Sequence, residues 1–174
     1  LHVPIPEAQQ HVTDFGRIAS FDTTLVRVET VCGIVGHGEA KSAVGSTSAN
    51  HALCTLIEKE LGPLVTGEDP RDISRLWDVM YNGSRAHFAL DRGHVFPVLG
   101  RQGLNICGLA GIDMALWDIL GKSLDAPVWR LLGGRRHERM PAYASGGWAP
   151  ADRIAEELQG FIDSGNFKAV KMRV

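Results

Sequence analysis

Cysteine is scarce. Cys32, Cys54 and Cys107 are the three in the chain, far apart and without a Cys-x-x-Cys pair. An odd, scattered set argues against a disulfide framework or a zinc ribbon and points to free thiols in a reducing compartment. An excess of either charge is missing too. Eighteen Lys and Arg stand against 20 Asp and Glu, for a net charge of −2. That balance gives no sign of a nucleic-acid partner or of an acidic disordered tail. No apolar run approaches membrane-spanning length, and the opening LHVPIPEAQQ lacks the charged-then-apolar pattern of a secretion signal. There is no internal repeat and no low-complexity segment. What remains is an ordinary globular composition, 44% hydrophobic over 174 residues. It is read as cytoplasmic, with no membrane or nucleic-acid partner, and as one domain with part of a second.

The most informative stretch runs from Gly108 to Gly134. Leu109, Ile112, Met114, Leu116, Trp117, Ile119 and Leu120 cover every face of a helix expected over Leu104–Lys122, and such a helix is buried. Gly108, Ala110, Gly111 and Ala115 are small enough to let neighbouring backbone come close. Asp113 and Asp118 must find partners. Their spacing puts them on different sides of the helix, so they cannot chelate a cation together. Gly121 suits the helix end, and Pro127 the first turn of a second short helix closed by Gly133 and Gly134.

Upstream, residues 1–20 read as a loop after at most a short strand. Leu25, Val26, Val28, Val31, Ile34 and Val35 predict an antiparallel hairpin with its turn at Cys32–Gly33, ended by Gly36–Glu39. His37 at the strand end reads as structural or solvated. Residues 41–50 read as a loop, followed by a helix from about His51 to Leu61 that Gly62–Pro63 stops. Asp69 is the expected N-cap of the next helix, with Pro70 at N1 and a stripe of Ile73, Leu76, Trp77 and Met80. Residues 84–103 read as a partly helical connection. After Gly134 come a strand at Met140–Ser145, an amphipathic helix at 151–165 and a strand at 167–174. That order is a βαβ unit with parallel strands.

The Gly108–Gly134 stretch closely resembles the signature segment of the mandelate racemase/muconate lactonizing enzyme family, within the enolase superfamily. The match rests on Ile112-Asp113, Ala115-Leu116, Trp117-Asp118-Ile119, Gly121-Lys122, Pro127-Val128 and Leu131-Leu132-Gly133-Gly134. Gly108 departs from the family's usual Ala, a small-for-small change. The resemblance implies an α+β capping domain, antiparallel sheet plus helical bundle, over residues 1–137. Residues 138–174 would begin a (β/α) TIM-type barrel.

The same resemblance supplies a chemistry. Family members remove a proton next to a carboxylate, and a bound divalent metal stabilises the enediolate. Such a proton becomes removable only when preorganised cations meet the new charge. Lys171 matches the first Lys of the family's Lys-x-Lys on the second barrel strand and would lie against the substrate carboxylate. Arg173 takes the second place, usually the base. A guanidinium with a pKa above about 12 is a fixed cation rather than a base, so proton abstraction would fall to another group, a His beyond this stretch of barrel.

Ser145 matches a position that hydrogen-bonds the substrate carboxylate, and barrel active sites lie at the C-terminal strand ends. The loops at 7–20 and 41–50 correspond to substrate-capping loops, with Phe15 and Arg17 as candidate contacts. The cofactor implied is Mg²⁺, its ligands expected in a C-terminal half beyond these residues, so this stretch alone should neither bind Mg²⁺ tightly nor catalyse. The partner implied is a small carboxylate such as an acid sugar, with a homo-oligomeric assembly. The reading is the N-terminal portion of an acid-sugar dehydratase. The alternatives are a racemase or cycloisomerase of the same family, or a non-catalytic truncated capping-domain protein.

Overall fold

A computed structural model describes the chain apart from residues 14–15, 43–46, 84–90, 94–100, 148, 166 and 173–174. The chain divides into two compact units, residues 1–4 with 20–134, and residues 5–19 with 135–174.

In the first unit β1 (His2–Pro4) pairs antiparallel with β4 (Ser20–Asp22), His2 opposite Asp22. In the second, β2 (His11–Thr13) pairs antiparallel with β3 (Gly16–Ile18). The expected loop over residues 1–20 is therefore corrected to four short strands. Each is three residues long, too short to show alternation in sequence, and β1 and β4 are held from outside by their distant pairing. His2 Nδ1 and Ser20 Oγ both bond the Asp22 carboxylate, at 2.6 and 2.8 Å.

The hairpin is where the sequence put it. β5 (Thr24–Glu29) and β6 (Val35–Ala40) pair antiparallel across a turn containing Cys32 and Gly33. Gly36 to Glu39 lie inside β6 rather than at its end, for a steric reason. A Cβ on Gly36 would overlap the Ala115 carbonyl oxygen, and one on Gly38 would overlap that of Gly111. The strand lies directly on the helix α4 (Leu104–Ser123), and the glycines permit that distance.

The helices that flank α4 depart from expectation at their ends. α1 spans Thr47–Leu56, starting earlier than His51, and passes through a wider π-helical turn at Ile57–Leu61 into α2 (Gly62–Val65). Gly62–Pro63 thus does not stop the helix. The wide turn resets the register, so Pro63 falls in the first turn of α2, where its missing N–H has no partner to lose. α3 spans Ile73–Asn82 with Asp72 at its N-cap, not Asp69. The Asp69 carboxylate instead takes the Arg71 amide at 2.9 Å and the Arg71 guanidinium. Ile73, Leu76 and Met80 are buried as expected, while Trp77 stays exposed and stacks on Tyr81. Most of the 84–103 connection lies outside the described residues.

One core joins Val26 and Ala40 of the hairpin, Leu53, Leu61, Ile73, Leu76 and Met80 of the helical segments, and Leu109, Ile112, Ala115 and Leu116 of α4. By length and composition alone α4 is long and apolar enough to cross a membrane, although Asp113, Asp118 and Lys122 interrupt its apolar run. Here it is a core helix, with Ile112, Leu116 and Ile119 exposed by 1, 1 and 2%. The burial is one-sided, however. Ile106, Ala110 and Met114 are exposed, because the hairpin and α1–α3 cover the other face. Leu116→Ala should cost about 2–5 kcal/mol by lost transfer energy and cavity, read as a lower urea midpoint at unchanged m value.

Gly121 does not end α4, which runs on to Ser123. Gly121 makes room for the Ala126 carbonyl, and Asp125, at φ +48°, makes the left-handed turn. Pro127 is the N-cap of α5 (Val128–Leu131), and Gly133 and Gly134 follow at positive φ.

The two carboxylates of α4 have opposite environments. Asp118 Oδ2 accepts Lys122 Nζ at 2.6 Å and the His37 amide at 2.8 Å, while Lys122 also donates to the Val35 carbonyl at 2.7 Å. This latch fastens helix to hairpin, and the Lys122 bond foremost holds the Asp118 carboxyl below its ordinary value. Asp113 has no hydrogen-bond or ion-pair partner among the described residues, and burial raises its pKa. The signs are opposite. Asp118 adds stability above its unfolded pKa of about 4, lost as pH falls through the lower folded value. Asp113 adds stability below that value, lost as pH rises through its higher folded one. Asp118→Asn should therefore lower the urea midpoint at pH 7, and Asp113→Asn should raise it. Equal midpoints for both variants would contradict this account.

In the second unit, β7 (Ala144–Ser145), α6 (Ile154–Gly165) and β8 (Val170–Lys171) form the expected strand–helix–strand order, and β7 and β8 are parallel. The strands are shorter than expected, each pairing on one side only among the described residues. α6 packs on both with Ile154, Leu158 and Phe161 half-buried. Val170 is half-buried and Met172 is exposed.

Candidate functional site

The parallel register pairs Ala144 with Val170 and Ser145 with Lys171. Residues paired across adjacent strands point to one face, and the strands lie about 4.8 Å apart. Ser145 and Lys171 therefore stand side by side at the C-terminal ends of β7 and β8. The Gly146 amide bonds the Lys171 carbonyl at 3.1 Å and closes the ladder at that point. Both side chains are exposed, and neither has a hydrogen-bond or ion-pair partner among the described residues. A free hydroxyl beside a free ammonium offers up to four donor hydrogens to an anion.

The turn after β7 is buried. Gly146 and Gly147 are both inaccessible, Gly147 has φ +91°, and its amide donates to Glu157 Oε1 at 3.1 Å. Of the other expected site residues, Arg17 is exposed on β3, within the same compact unit as Ser145 and Lys171. Phe15 and Arg173 lie outside the described residues. Glu157 was not singled out from sequence: it is half-buried on the packed face of α6, one turn from Phe161, and a lone carboxylate there carries no motif.

The described residues do not fit a divalent cation. Among them no three His, Cys, Asp or Glu side chains converge, and hard cations need several oxygen ligands. The large groove of about 790 Å³ in the first unit is a poor rival site. Its lining includes the apolar Val28, Val31, Ile34 and Val65, and both of its arginines are already paired, Arg27 with Glu29 at 2.8 Å and Arg71 with Asp69 at 2.5 Å.

The family model for the mandelate racemase/muconate lactonizing enzyme N-terminal domain matches residues 2–133. An arabinonate dehydratase of Saccharolobus solfataricus is 33% identical over 84% of this chain and 36% of its own length. A D-galactonate dehydratase of Klebsiella pneumoniae is 42% identical over 78% of this chain and 30% of its own. The crystal structure of a racemase from Streptomyces coelicolor A3(2) with bound magnesium superposes with a TM-score of 0.75 at 27% identity, over 99% of this chain and 44% of that one. The chain thus spans less than half the length of each of these proteins. With α4 and its Asp118 latch, the antiparallel hairpin and the strand–helix–strand that follows, the chain belongs to the mandelate racemase/muconate lactonizing enzyme family of the enolase superfamily.

Proposed function

We propose that this chain is the N-terminal portion of an acid-sugar dehydratase, in which Lys171 and Ser145 hold the substrate carboxylate. The observation that carries the proposal is the in-register pairing of a free hydroxyl with a free ammonium at the ends of β7 and β8. A cation on the carboxylate offsets its charge and makes the proton on the adjacent carbon easier to remove. The dehydratase relatives add support, since arabinonate and galactonate are both sugar acids. On this reading residues 1–137 form the capping domain and residues 138–174 open the barrel. Phe15 and Arg17 contact the substrate from the cap, and Arg173 is a second fixed cation. Mg²⁺ would be held outside the described residues, which offer it no ligand set.

The test is turnover of arabinonate and D-galactonate by the full-length protein with Mg²⁺, read as formation of the 2-keto-3-deoxy acid. No turnover of any acid sugar would end the dehydratase reading. The magnesium-bound racemase neighbour keeps a second reading in play. It predicts deuterium exchange at the α-carbon of both enantiomers, whereas a dehydratase with one base should exchange only one.

A further inference from the structure

We propose that Glu157 is a positioning residue for the carboxylate site: from α6 it locks the turn after β7 and so fixes Ser145 beside Lys171. The inference rests on the reading of Ser145 and Lys171 as that site. Ser145 ends a strand of two residues, and so short a ladder leaves its far end poorly defined. The turn that follows supplies the definition, from three directions. β8 takes the Gly146 amide through the Lys171 carbonyl at 3.1 Å. The ring of Phe161 fills the space where a Cβ on Gly146 would sit. Glu157 Oε1 accepts the Gly147 amide at 3.1 Å.

The last contact is the one of the three that is a hydrogen bond accepted by a side chain. Gly147 is buried at φ +91°, and a buried amide needs an acceptor. An ionised carboxylate makes a stronger acceptor than a carbonyl. Glu157 and Phe161 lie one helical turn apart on α6, so a single helix face grips the turn. Glu157 does not reach for substrate in this arrangement. It acts through the Gly146–Gly147 backbone, and the hydroxyl it steadies is the group that meets the ligand. A displacement of about 1 Å at such a group is enough to weaken a positioned contact.

Amide exchange and kinetics test the inference together. In the full-length protein, Glu157→Ala should speed exchange of the Gly147 amide about tenfold and leave the Leu116 amide unchanged, while Glu157→Gln, which keeps an acceptor, should restore protection. In the full-length protein, Glu157→Ala should raise KM for D-galactonate more than it lowers kcat, and Glu157→Gln should rescue most of that loss. If Glu157→Ala fails to fold, Glu157→Asp, one methylene too short to reach Gly147, takes its place. An unchanged Gly147 exchange rate in Glu157→Ala, or an unchanged KM of that variant when the wild type does turn over galactonate, overturns the inference. A wild-type protein inactive on every acid sugar sinks the dehydratase reading instead, and the exchange comparison alone then decides whether Glu157 holds the turn.

Discussion

Gly38→Ala should cost this chain about 3 kcal/mol, at the upper end of what overpacking a well-filled core costs. The obstacle is the reason. A Cβ at residue 38 meets the backbone carbonyl of Gly111, and one at residue 36 meets that of Ala115 and crowds Ile119 at 2.7 Å. A side chain can turn aside from an added methyl; a carbonyl in a helix cannot without losing its own bond. The alternative is for β6 and α4 to separate, which would stretch the 2.8 Å bond from the His37 amide to Asp118 and the 2.7 Å bond from Lys122 to the Val35 carbonyl. Gly111→Ala should be comparably costly, since its Cβ meets Ala40 and Val26 at 2.8 Å. The double variant should cost less than the sum, because the first substitution has already opened the interface. Gly33→Ala is the control. Its φ of +85° makes alanine strained, but the space around it is open, so its cost should stay near 1 kcal/mol. Urea midpoints at constant m value measure all four. A Gly38→Ala midpoint equal to wild type would mean that strand and helix are not in backbone contact.

Where the sequence was readable, local chemistry decided the structure. The small residues of α4, the β-branched residues of the hairpin and the strand–helix–strand after Gly134 all act through near neighbours. Misreadings arose where a distant partner or a reset register overruled the local signal. Pro63 looks like a helix stop, yet a π turn before it makes it a helix start. Asp69 looks like an N-cap, yet its carboxylate is taken by the Arg71 amide and guanidinium, and Asp72 holds the N-cap position without a side-chain capping bond. β1 exists because Asp22 and its neighbours return to it from 20 residues away.

The site divides in the same way. Ser145 and Lys171 could be nominated from residue type and resemblance, but their adjacency is a property of parallel register, which no local pattern encodes. Glu157 could not be nominated at all, because its partner is a backbone amide in another element. The Phe161 ring of α6 packs on Gly146, and Glu157 of the same helix takes the Gly147 amide.

Lys171→Ala in the full-length protein should lower kcat/KM for an acid sugar by about 10²–10³-fold, the loss expected when a preorganised charge partner is removed. The same substitution should shift stability by no more than about 0.5 kcal/mol, the usual range for a surface change away from any structural feature. Lys171 is exposed and has no partner among the described residues, so nothing structural depends on its charge. That contrast separates a substrate-binding role from a folding role. Lys171→Arg should recover part of the loss, because the charge survives, but not all of it. A planar guanidinium on a longer stem presents its donors differently from a compact ammonium. Ser145→Ala should be milder, about tenfold, in line with a single hydrogen bond to a charged group. The two sites are adjacent, so their double variant should fall short of the product of the single effects. The substrate offers a further control. If Lys171 meets the carboxylate, converting the sugar acid to its neutral amide should cost wild type nearly as much as the alanine variant loses, and should cost that variant little more. A Lys171→Ala enzyme within twofold of wild type on the acid, or one that still prefers acid over amide by the wild-type margin, would place the carboxylate elsewhere.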